Sequence, residues 1–246
     1  MPGYHTKTES VSFPDCANLR IRSLLDRQQF SDPLGAALAL GISSATWPIF
    51  GLLWPSGQML AERLSQRAVR SERILEVGCG LGLASLVGHR RGADITASDH
   101  HPLAGEFMAH NAALNALSAL PYRHGDWAAT QHLHALGSLE DQTLVNGRYD
   151  LIIGADLLYD RDASGQLAPF IASHAKACSE VWVIDPDRSN RGAFHRGMEA
   201  EGFQRREERL DRAESATQAA YKGRLLTYWR GAVNQGLLAG VLAFRA

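Results

Sequence analysis

Apolar residues recur along this chain with two different periods, and the alternation between them predicts strands followed by helices. Residues 73–77 (RILEV) form a short apolar run that ends at a glycine cluster, which predicts a buried strand. Residues 84–91 then have the spacing of a helix, and residues 93–98 (ADITAS) predict a second strand. Pro102 suits the first turn of the next helix, whose spacing predicts one buried face formed by Leu103, Phe107, His110, Leu114 and Leu117.

The same alternation continues to about residue 230. We predict further strands at 120–124, 149–154 and 180–185, and helices at about 163–177 and 193–201. Two late strands, at about 204–210 and 224–229, can pair as a hairpin. This order predicts an α/β fold with a mostly parallel sheet and helices on both faces. Because ligands bind at the carboxyl ends of the strands in such sheets, the residues just after each strand are the functional candidates.

The length of the chain predicts one main domain with an extension. Its 246 residues correspond to about 1.6 domains of average size. We assign residues 1–68 to an N-terminal helical extension, residues 69–230 to the α/β domain and residues 231–246 to a C-terminal tail. Within the extension we predict a helix from about Gly57 to Ala68, and we expect residues 47–64 to dock on the ligand-binding end of the sheet.

Composition and charge exclude several classes of protein. With 45% hydrophobic and 21% charged residues, the chain can bury a large core. A net charge of −1 argues against nucleic acid as the favoured partner. No apolar run approaches the ~20 residues that span a bilayer, so no membrane association is expected. Three widely spaced cysteines and the lack of a secretory leader predict a cytoplasmic protein, whereas no pattern indicates an oligomeric state.

A glycine-rich turn follows the first predicted strand, where residues 76–83 have the sequence EVGCGLGL. Glycines at alternate positions let a ligand approach the backbone closely. A dinucleotide-binding fingerprint needs glycine at position 83, which is Leu83 here, and no Gly-Lys-Ser/Thr follows that would form a phosphate-binding loop. The spacing, with Glu76 ahead of it, is similar to the motif of class I S-adenosylmethionine methyltransferases.

Acidic residues follow three of the predicted strands, namely Asp99, Asp126 (with Trp127 beside it) and Asp156. Asp99 comes about 20 residues after the glycine loop, where a carboxylate can accept hydrogen bonds from both ribose hydroxyls. NAD-dependent enzymes have an acid at the same place, so Asp99 alone does not distinguish the two cofactors. Together with the loop, these residues predict a site for a nucleoside-containing cofactor.

Three further motifs resemble those of the seven-β-strand protein-lysine methyltransferases. Residues 156–159 (DLLY) resemble the D-x-x-Y motif of that group, and residues 54–61 (WPSGQMLA) resemble the W-P-G/S-G-x-x-L-A element that precedes its glycine loop. Residues 185–188 (DPDR) resemble the D-P-G-R sequence of a subgroup that includes the electron transfer flavoprotein β-subunit lysine methyltransferases. Asp187 replaces the glycine of that sequence, so we expect a different backbone there. Many bacterial members of this group are described only as methyltransferases in general, or as predicted nicotinamide N-methylases, which leaves the substrate open.

The resemblance implies a Rossmann-like sheet of seven strands, S-adenosyl-L-methionine as the methyl donor and a protein lysine as the acceptor. It implies that Asp156 hydrogen-bonds the amine and directs its lone pair, while Tyr159 packs beside the acceptor or donates a further hydrogen bond. Cys79 is expected to be a small filler of the loop, and Trp54 either covers the cofactor or acceptor or anchors the core. Arg188 either binds an acidic group of the substrate or holds its own loop by a salt bridge. The residues expected to bind the cofactor are Trp54, Glu76, Gly78, Cys79, Gly80, Gly82, Asp99, Asp126, Trp127 and Ala155.

Other kinds of site are weaker predictions. His100 and His101 follow the second strand, but they lack the spacing of metal ligands, so no metal is expected. The absence of G-x-S-x-G argues against a hydrolase. We therefore predict an enzyme, an S-adenosylmethionine-dependent N-methyltransferase that modifies a protein lysine. A methyltransferase of small-molecule amines is the near alternative, and an NAD-dependent oxidoreductase or a non-catalytic cofactor-binding module are the more distant ones.

Overall fold

A computed structural model describes residues 3–13, 16–127, 144–159, 165–214 and 220–231 of the chain. Within these ranges the strands are β1 Thr6–Phe13, β2 Cys16–Leu24, β3 Arg73–Val77, β4 Asp94–Asp99, β5 Tyr122–His124, β6 Tyr149–Ala155, β7 Ala175–Asp185, β8 Gln204–Arg209 and β9 Arg224–Arg230. The α-helices are α1 Ala36–Ala39, α2 Pro55–Gln66, α3 Leu83–Arg90, α4 Ala104–Leu114, α5 Leu167–His174 and α6 Arg191–Ala200. Two short 3₁₀ helices are Trp47–Gly51 and Leu157–Tyr159.

The main sheet has seven strands in the order β5-β4-β3-β6-β7-β9-β8. The first five strands are parallel, and β9 and β8 join the edge in antiparallel orientation. This confirms the predicted α/β fold with a mostly parallel sheet, including the pairing of the two late strands. Val77, the last residue of β3, pairs with Ser98 on one side and Gly154 on the other, so three strands end at the same edge.

Helices cover both faces of this sheet, as predicted, and each face has its own apolar core. Successive residues of a strand point to opposite faces, so Ile74 belongs to one core and Leu75 to the other. The first core contains apolar residues of α2, α3 and α4, and the second contains those of α5 and α6. Within the described ranges, no helix has the length and apolar composition needed to cross a membrane.

The helix predicted at about 163–177 is shorter in the structure. Its described part ends at His174, and β7 begins directly at Ala175, which pairs with Tyr149 of β6. Polar residues such as Ser173, His174 and Lys176 flank this junction, and no glycine or proline marks it, so the sequence pattern did not separate the helix from the strand. Residues 160–164, where the helix was predicted to begin, and residues 232–246 of the predicted tail lie outside the described residues.

The buried face of α4 also differs from the prediction. Phe107 is buried as expected, but His110 is exposed, and the buried positions include Met108 and Asn111. The buried face is thus rotated relative to the prediction and includes a polar side chain, Asn111. Its Oδ1 accepts the backbone N–H of Arg22 in β2 at 2.8 Å, so burial of this amide follows from a hydrogen bond rather than from hydrophobicity.

The N-terminal extension contains helices, as predicted, and also a β-hairpin that the sequence analysis did not identify. Strands β1 and β2 pair antiparallel, and β2 packs along α4. Asn111 and Asn115, one turn apart on α4, each bond both the N–H and the C=O of one β2 residue, Arg22 and Arg20 respectively. The two asparagine side chains therefore satisfy backbone hydrogen-bonding groups of β2 that would otherwise need a neighbouring strand.

We expect Asn111→Ala to lower the free energy of unfolding by about 2 kcal/mol, because it leaves the partly buried N–H and C=O of Arg22 and the buried C=O of Leu81 without these partners. Asn115→Ala is the matched control, since it removes the same kind of contact at a less buried position. There water replaces the lost bonds, and we expect a loss of about 1 kcal/mol or less. Urea unfolding measures both, and equal losses would contradict this account of the hairpin.

Candidate active site

A cavity of about 600 Å³ lies at the carboxyl ends of β3, β4 and β6. Such a volume is typical of small-molecule sites in α/β proteins. The predicted site residues that line it are Trp54, Glu76, Gly78, Cys79, Gly80, Asp99, Asp126, Trp127, Ala155, Asp156 and Tyr159. The fold therefore brings residues from five separate stretches of the chain into one cavity.

Gly82 is the predicted site residue that does not line the cavity. It precedes α3 with φ 71°, and a Cβ there would lie 2.4 Å from Sδ of Met108 in α4. Gly80 has a similar backbone, and its Cβ would lie 2.7 Å from the carbonyl oxygen of Phe50. The third glycine is thus required for close packing against α4, and the second for close approach of the N-terminal extension.

Asp99 holds the glycine loop in place from the end of β4. Its two carboxylate oxygens accept the backbone N–H groups of Gly80 and His101, each at 2.8 Å. The side chain is nearly buried, and this burial raises the pKa of Asp99 above its usual value. Each oxygen keeps further lone pairs, so the carboxylate can still accept hydrogen bonds from a ligand in the cavity.

Glu76 and Cys79 are buried titratable groups on either side of the first glycine. Glu76 accepts hydrogen bonds from the backbone N–H of Ser85, at 2.8 Å, and from the Ser85 hydroxyl. Burial outweighs these bonds and raises the pKa of Glu76 to about 7. Burial also raises the pKa of the Cys79 thiol, which fits a filler of the loop and not a nucleophile.

Asp156 lies just after β6, and Arg188 comes to it from the turn after β7. Nε and Nη2 of Arg188 donate to the two carboxylate oxygens of Asp156 at 2.9 and 3.1 Å. Asp156 has φ 54°, a conformation that non-glycine residues rarely adopt, and its N–H donates to the Ile184 carbonyl at 2.8 Å. Of the two roles considered for Arg188, the structure therefore has the salt bridge. Tyr159 lies nearby with 48% of its surface exposed.

The turn that carries Arg188 is held by Asp187. This residue has φ 59°, a conformation that glycine adopts easily, so the replacement of glycine does not require the different backbone that we expected. Its carboxylate pairs with Arg191, Arg209 and Arg224 at 2.7 to 2.9 Å. The hydrogen bonds from Arg224 and Arg209, with their charges, outweigh desolvation and lower the pKa of Asp187. Asp187 thus ties the turn to α6, β8 and β9.

The N-terminal extension supplies part of the cavity wall. We predicted that its residues 47–64 dock at this edge of the sheet. The Trp54 indole donates to the carbonyl of Ile49 at 2.8 Å and lies under the Arg27 guanidinium, 4.8 Å from the ring centroid. His101 stacks on Phe50 with ring centroids 3.7 Å apart. Arg27, Phe50 and His101 all line the cavity, and sequence reasoning did not assign them. For His101, its place just after a predicted strand end was the available signal.

The strand order, the glycine loop after β3 and the cavity at the carboxyl edge define a class I methyltransferase fold. A 16S rRNA methyltransferase of Thermus thermophilus has the same fold, with a TM-score of 0.55 and 17% identity. That likeness covers 92% of this chain and 51% of the other.

Sequence comparison identifies the family. A sequence profile described as lysine methyltransferase matches residues 42–194, and the chain belongs to this family. It is 28% identical over 189 residues to an electron transfer flavoprotein beta subunit lysine methyltransferase of Xenopus laevis, covering 74% of this chain and 68% of that relative. It is 30% identical over 145 residues to the relative of that name in Mus musculus, covering 57% of this chain and 51% of the relative. The chain is therefore an enzyme of the methyltransferase class, and it spans about half of the mouse relative.

The raised pKa of Glu76 predicts a pH-dependent stability. Glu76 has a pKa of about 7 in the folded chain, against an ordinary value of 4.5 in the unfolded chain, so between these pH values the folded state binds more protons than the unfolded state. The free energy of unfolding that Glu76 contributes therefore falls as the pH rises through this window, by up to about 3 kcal/mol. Gln does not titrate, so Glu76→Gln should gain stability relative to the wild type over the same window.

Urea unfolding of both proteins at several pH values measures this difference. Glu106→Gln is the control, because its side chain is 61% exposed. A constant difference between wild type and Glu76→Gln across the window would show that the Glu76 carboxyl titrates alike in both states.

Proposed function

We propose that this chain binds S-adenosyl-L-methionine in the cavity and transfers its methyl group to a lysine side chain of a protein. The family supports this proposal, and the rRNA methyltransferase of similar fold was solved in complex with AdoMet. The relatives from Xenopus laevis and Mus musculus are named lysine methyltransferases of the electron transfer flavoprotein beta subunit, a protein substrate. For this chain we propose the substrate class, a protein lysine, and not that particular protein.

The chemistry of the cavity lining fits this cofactor. Asp99 offers carboxylate oxygens to ribose hydroxyls, and Glu76 offers one to a cationic amino group when it is ionised. The backbone at Gly78 and Gly80 is open to close approach, since neither residue has a side chain. Asp126 and Trp127 line the same cavity and offer an acceptor and a flat ring to a base. The single observation that carries the proposal is that these residues share one cavity with Asp156 and Tyr159.

The acceptor end of the cavity is the one that Asp156 and Tyr159 form. S-adenosylmethionine supplies an activated methyl group that an amine lone pair can take up, with the electron pair of the broken C–S bond left on sulfur. For lysine, whose ordinary pKa is about 10.4, losing the proton at pH 7 costs about 4.6 kcal/mol. Asp156 orients the amine, and Tyr159 packs beside it or donates a hydrogen bond. Good orientation supplies up to roughly 7–11 kcal/mol in favourable cases.

We further propose that residues 1–68 cover the cofactor, since Arg27, Phe50 and Trp54 contribute to the cavity wall of the 69–230 domain.

We also propose that the protein acts in the cytoplasm. Its thiols at Cys16, Cys79 and Cys178 are free, which is compatible with a reducing compartment.

Calorimetry separates the cofactor hypotheses. We expect S-adenosylmethionine and its demethylated product to bind, and NAD to bind at least about 10-fold more weakly, because the glycine loop lacks the third glycine of a pyrophosphate-binding turn. Asp99→Ala should weaken S-adenosylmethionine binding, with the exposed Asp94→Ala as its control. Tighter binding of NAD would contradict the proposal.

Transfer of a labelled methyl group into a cell lysate, resolved by size, tests the acceptor. We expect label in a protein band, in lysine residues. Label in small solutes would instead support a small-molecule N-methyltransferase, and no label with intact cofactor binding would support a binding module.

The role of Asp156 is tested by separating cofactor affinity from turnover. In Asp156→Ala we expect S-adenosylmethionine affinity to stay within about 3-fold. The rate of methyl transfer should fall by about 100-fold, because the amine loses its orientation. Asp94→Ala serves again as the control, and unchanged turnover in Asp156→Ala would reject the proposed role.

A further inference from the structure

Arg188 occupies the acceptor end of the cavity in a specific geometry. Its Nε and Nη2 engage the two oxygens of Asp156 in a bidentate pair, and both side chains line the cavity. The Asp156 side chain is only 10% exposed, and that of Arg188 is 38% exposed. Paired donors in this arrangement give both energy and direction, so the guanidinium is a built part of the site.

The backbone around Arg188 is fixed independently of Asp156. The N–H of Arg188 donates to the buried carboxylate of Asp185 at 3.0 Å, and the Asp187 carboxylate ties the same turn to three arginines. The guanidinium is therefore presented to Asp156 by a turn that is anchored on both sides.

This pair bears on a chemical problem at the acceptor end. A carboxylate without a counter-ion favours the charged form of a neighbouring amine, typically by 1–3 pKa units. A lysine held as ammonium has no lone pair and cannot accept a methyl group. A guanidinium beside the carboxylate cancels its charge and repels a second positive charge, yet a carboxylate in a bidentate pair keeps lone pairs for an amine N–H.

We propose that Arg188 is a positioning residue for methyl transfer, which stays paired with Asp156 while the target lysine binds and so favours the free amine. This inference rests on the proposed function, because it requires a lysine beside Asp156. Asp156 then orients the amine without holding it as ammonium.

The other charged and titratable groups around Asp156 come from several elements. Asp185 at the end of β7 and Tyr221 ahead of β9 interact with the Asp156 charge. Arg191 of α6 lies 3.4 Å from Asp185, and Asp187 adds its charge near Tyr221. Arg188 is the cation in direct contact with Asp156 among the described residues, so its removal is the specific perturbation.

The test is the pH dependence of methyl transfer in Arg188→Met. The probe is labelled S-adenosylmethionine with the lysate protein that the wild type labels. We expect the acidic limb of the kcat profile to move to higher pH by about one unit or more, so that the rate near pH 7.5 falls about 10-fold.

The KM for the protein should not rise in this variant. Without the charge of Arg188, Asp156 attracts the lysine ammonium more strongly. Arg188→Lys keeps a positive charge, and its limb should lie close to that of the wild type.

Arg205→Met is the matched control, because Arg205 also pairs with a carboxylate, Glu199, at 2.7 Å and does not line the cavity. Calorimetry with S-adenosylmethionine verifies that each variant is folded and loaded. An unmoved limb in Arg188→Met would overturn the inference at any KM, because it would mean that Arg188 does not set the protonation of the lysine bound beside Asp156. An equal shift in Arg205→Met would also overturn it. A wild type that labels no protein would instead reject the proposed function.

Discussion

The parallel pairing of β3 with β4 on one side and β6 on the other is the constraint on which the rest of the structure depends. Because Val77 is level with both Ser98 and Gly154, the chain leaves all three strands at the same edge of the sheet. Parallel strands need crossover connections, so these three exits are far apart in sequence and adjacent in space. The glycine loop, Asp99 and Asp156 meet there for this reason, and the cavity is the space between the exits.

Desolvation at this edge is offset in a different way for each carboxylate. Asp99 is held by backbone N–H groups, Glu76 by Ser85 and Asp156 by a guanidinium. The first two arrangements still leave the pKa raised, since burial outweighs the hydrogen bonds. The site thus combines carboxylates with different hydrogen-bond partners, although they lie in or just after neighbouring strands of one sheet.

The N-terminal extension shows how a segment can join a domain by polar contacts. Asn111 and Asn115 bond the backbone of β2 from α4, and Gly80 leaves room for the carbonyl of Phe50. The same extension then contributes Arg27 and Trp54 to the cavity. The N-terminal extension therefore links the hairpin contact with α4 to the shape of the cavity, because it carries both β2 and the cavity residues.

The sequence by itself determined the order and type of most elements, the sheet edge that carries the site, and nearly every residue of the cavity that lies in a motif. It could do so because strand and helix periods are local, and because a parallel sheet places its strand ends together. It could not predict the hairpin, the rotation of α4 toward Asn111 or the packing role of Gly82, which depend on contacts distant in sequence. Only the tertiary structure decided that Arg188 faces Asp156, because that pair joins two turns whose distance is set by the parallel pairing of β6 with β7.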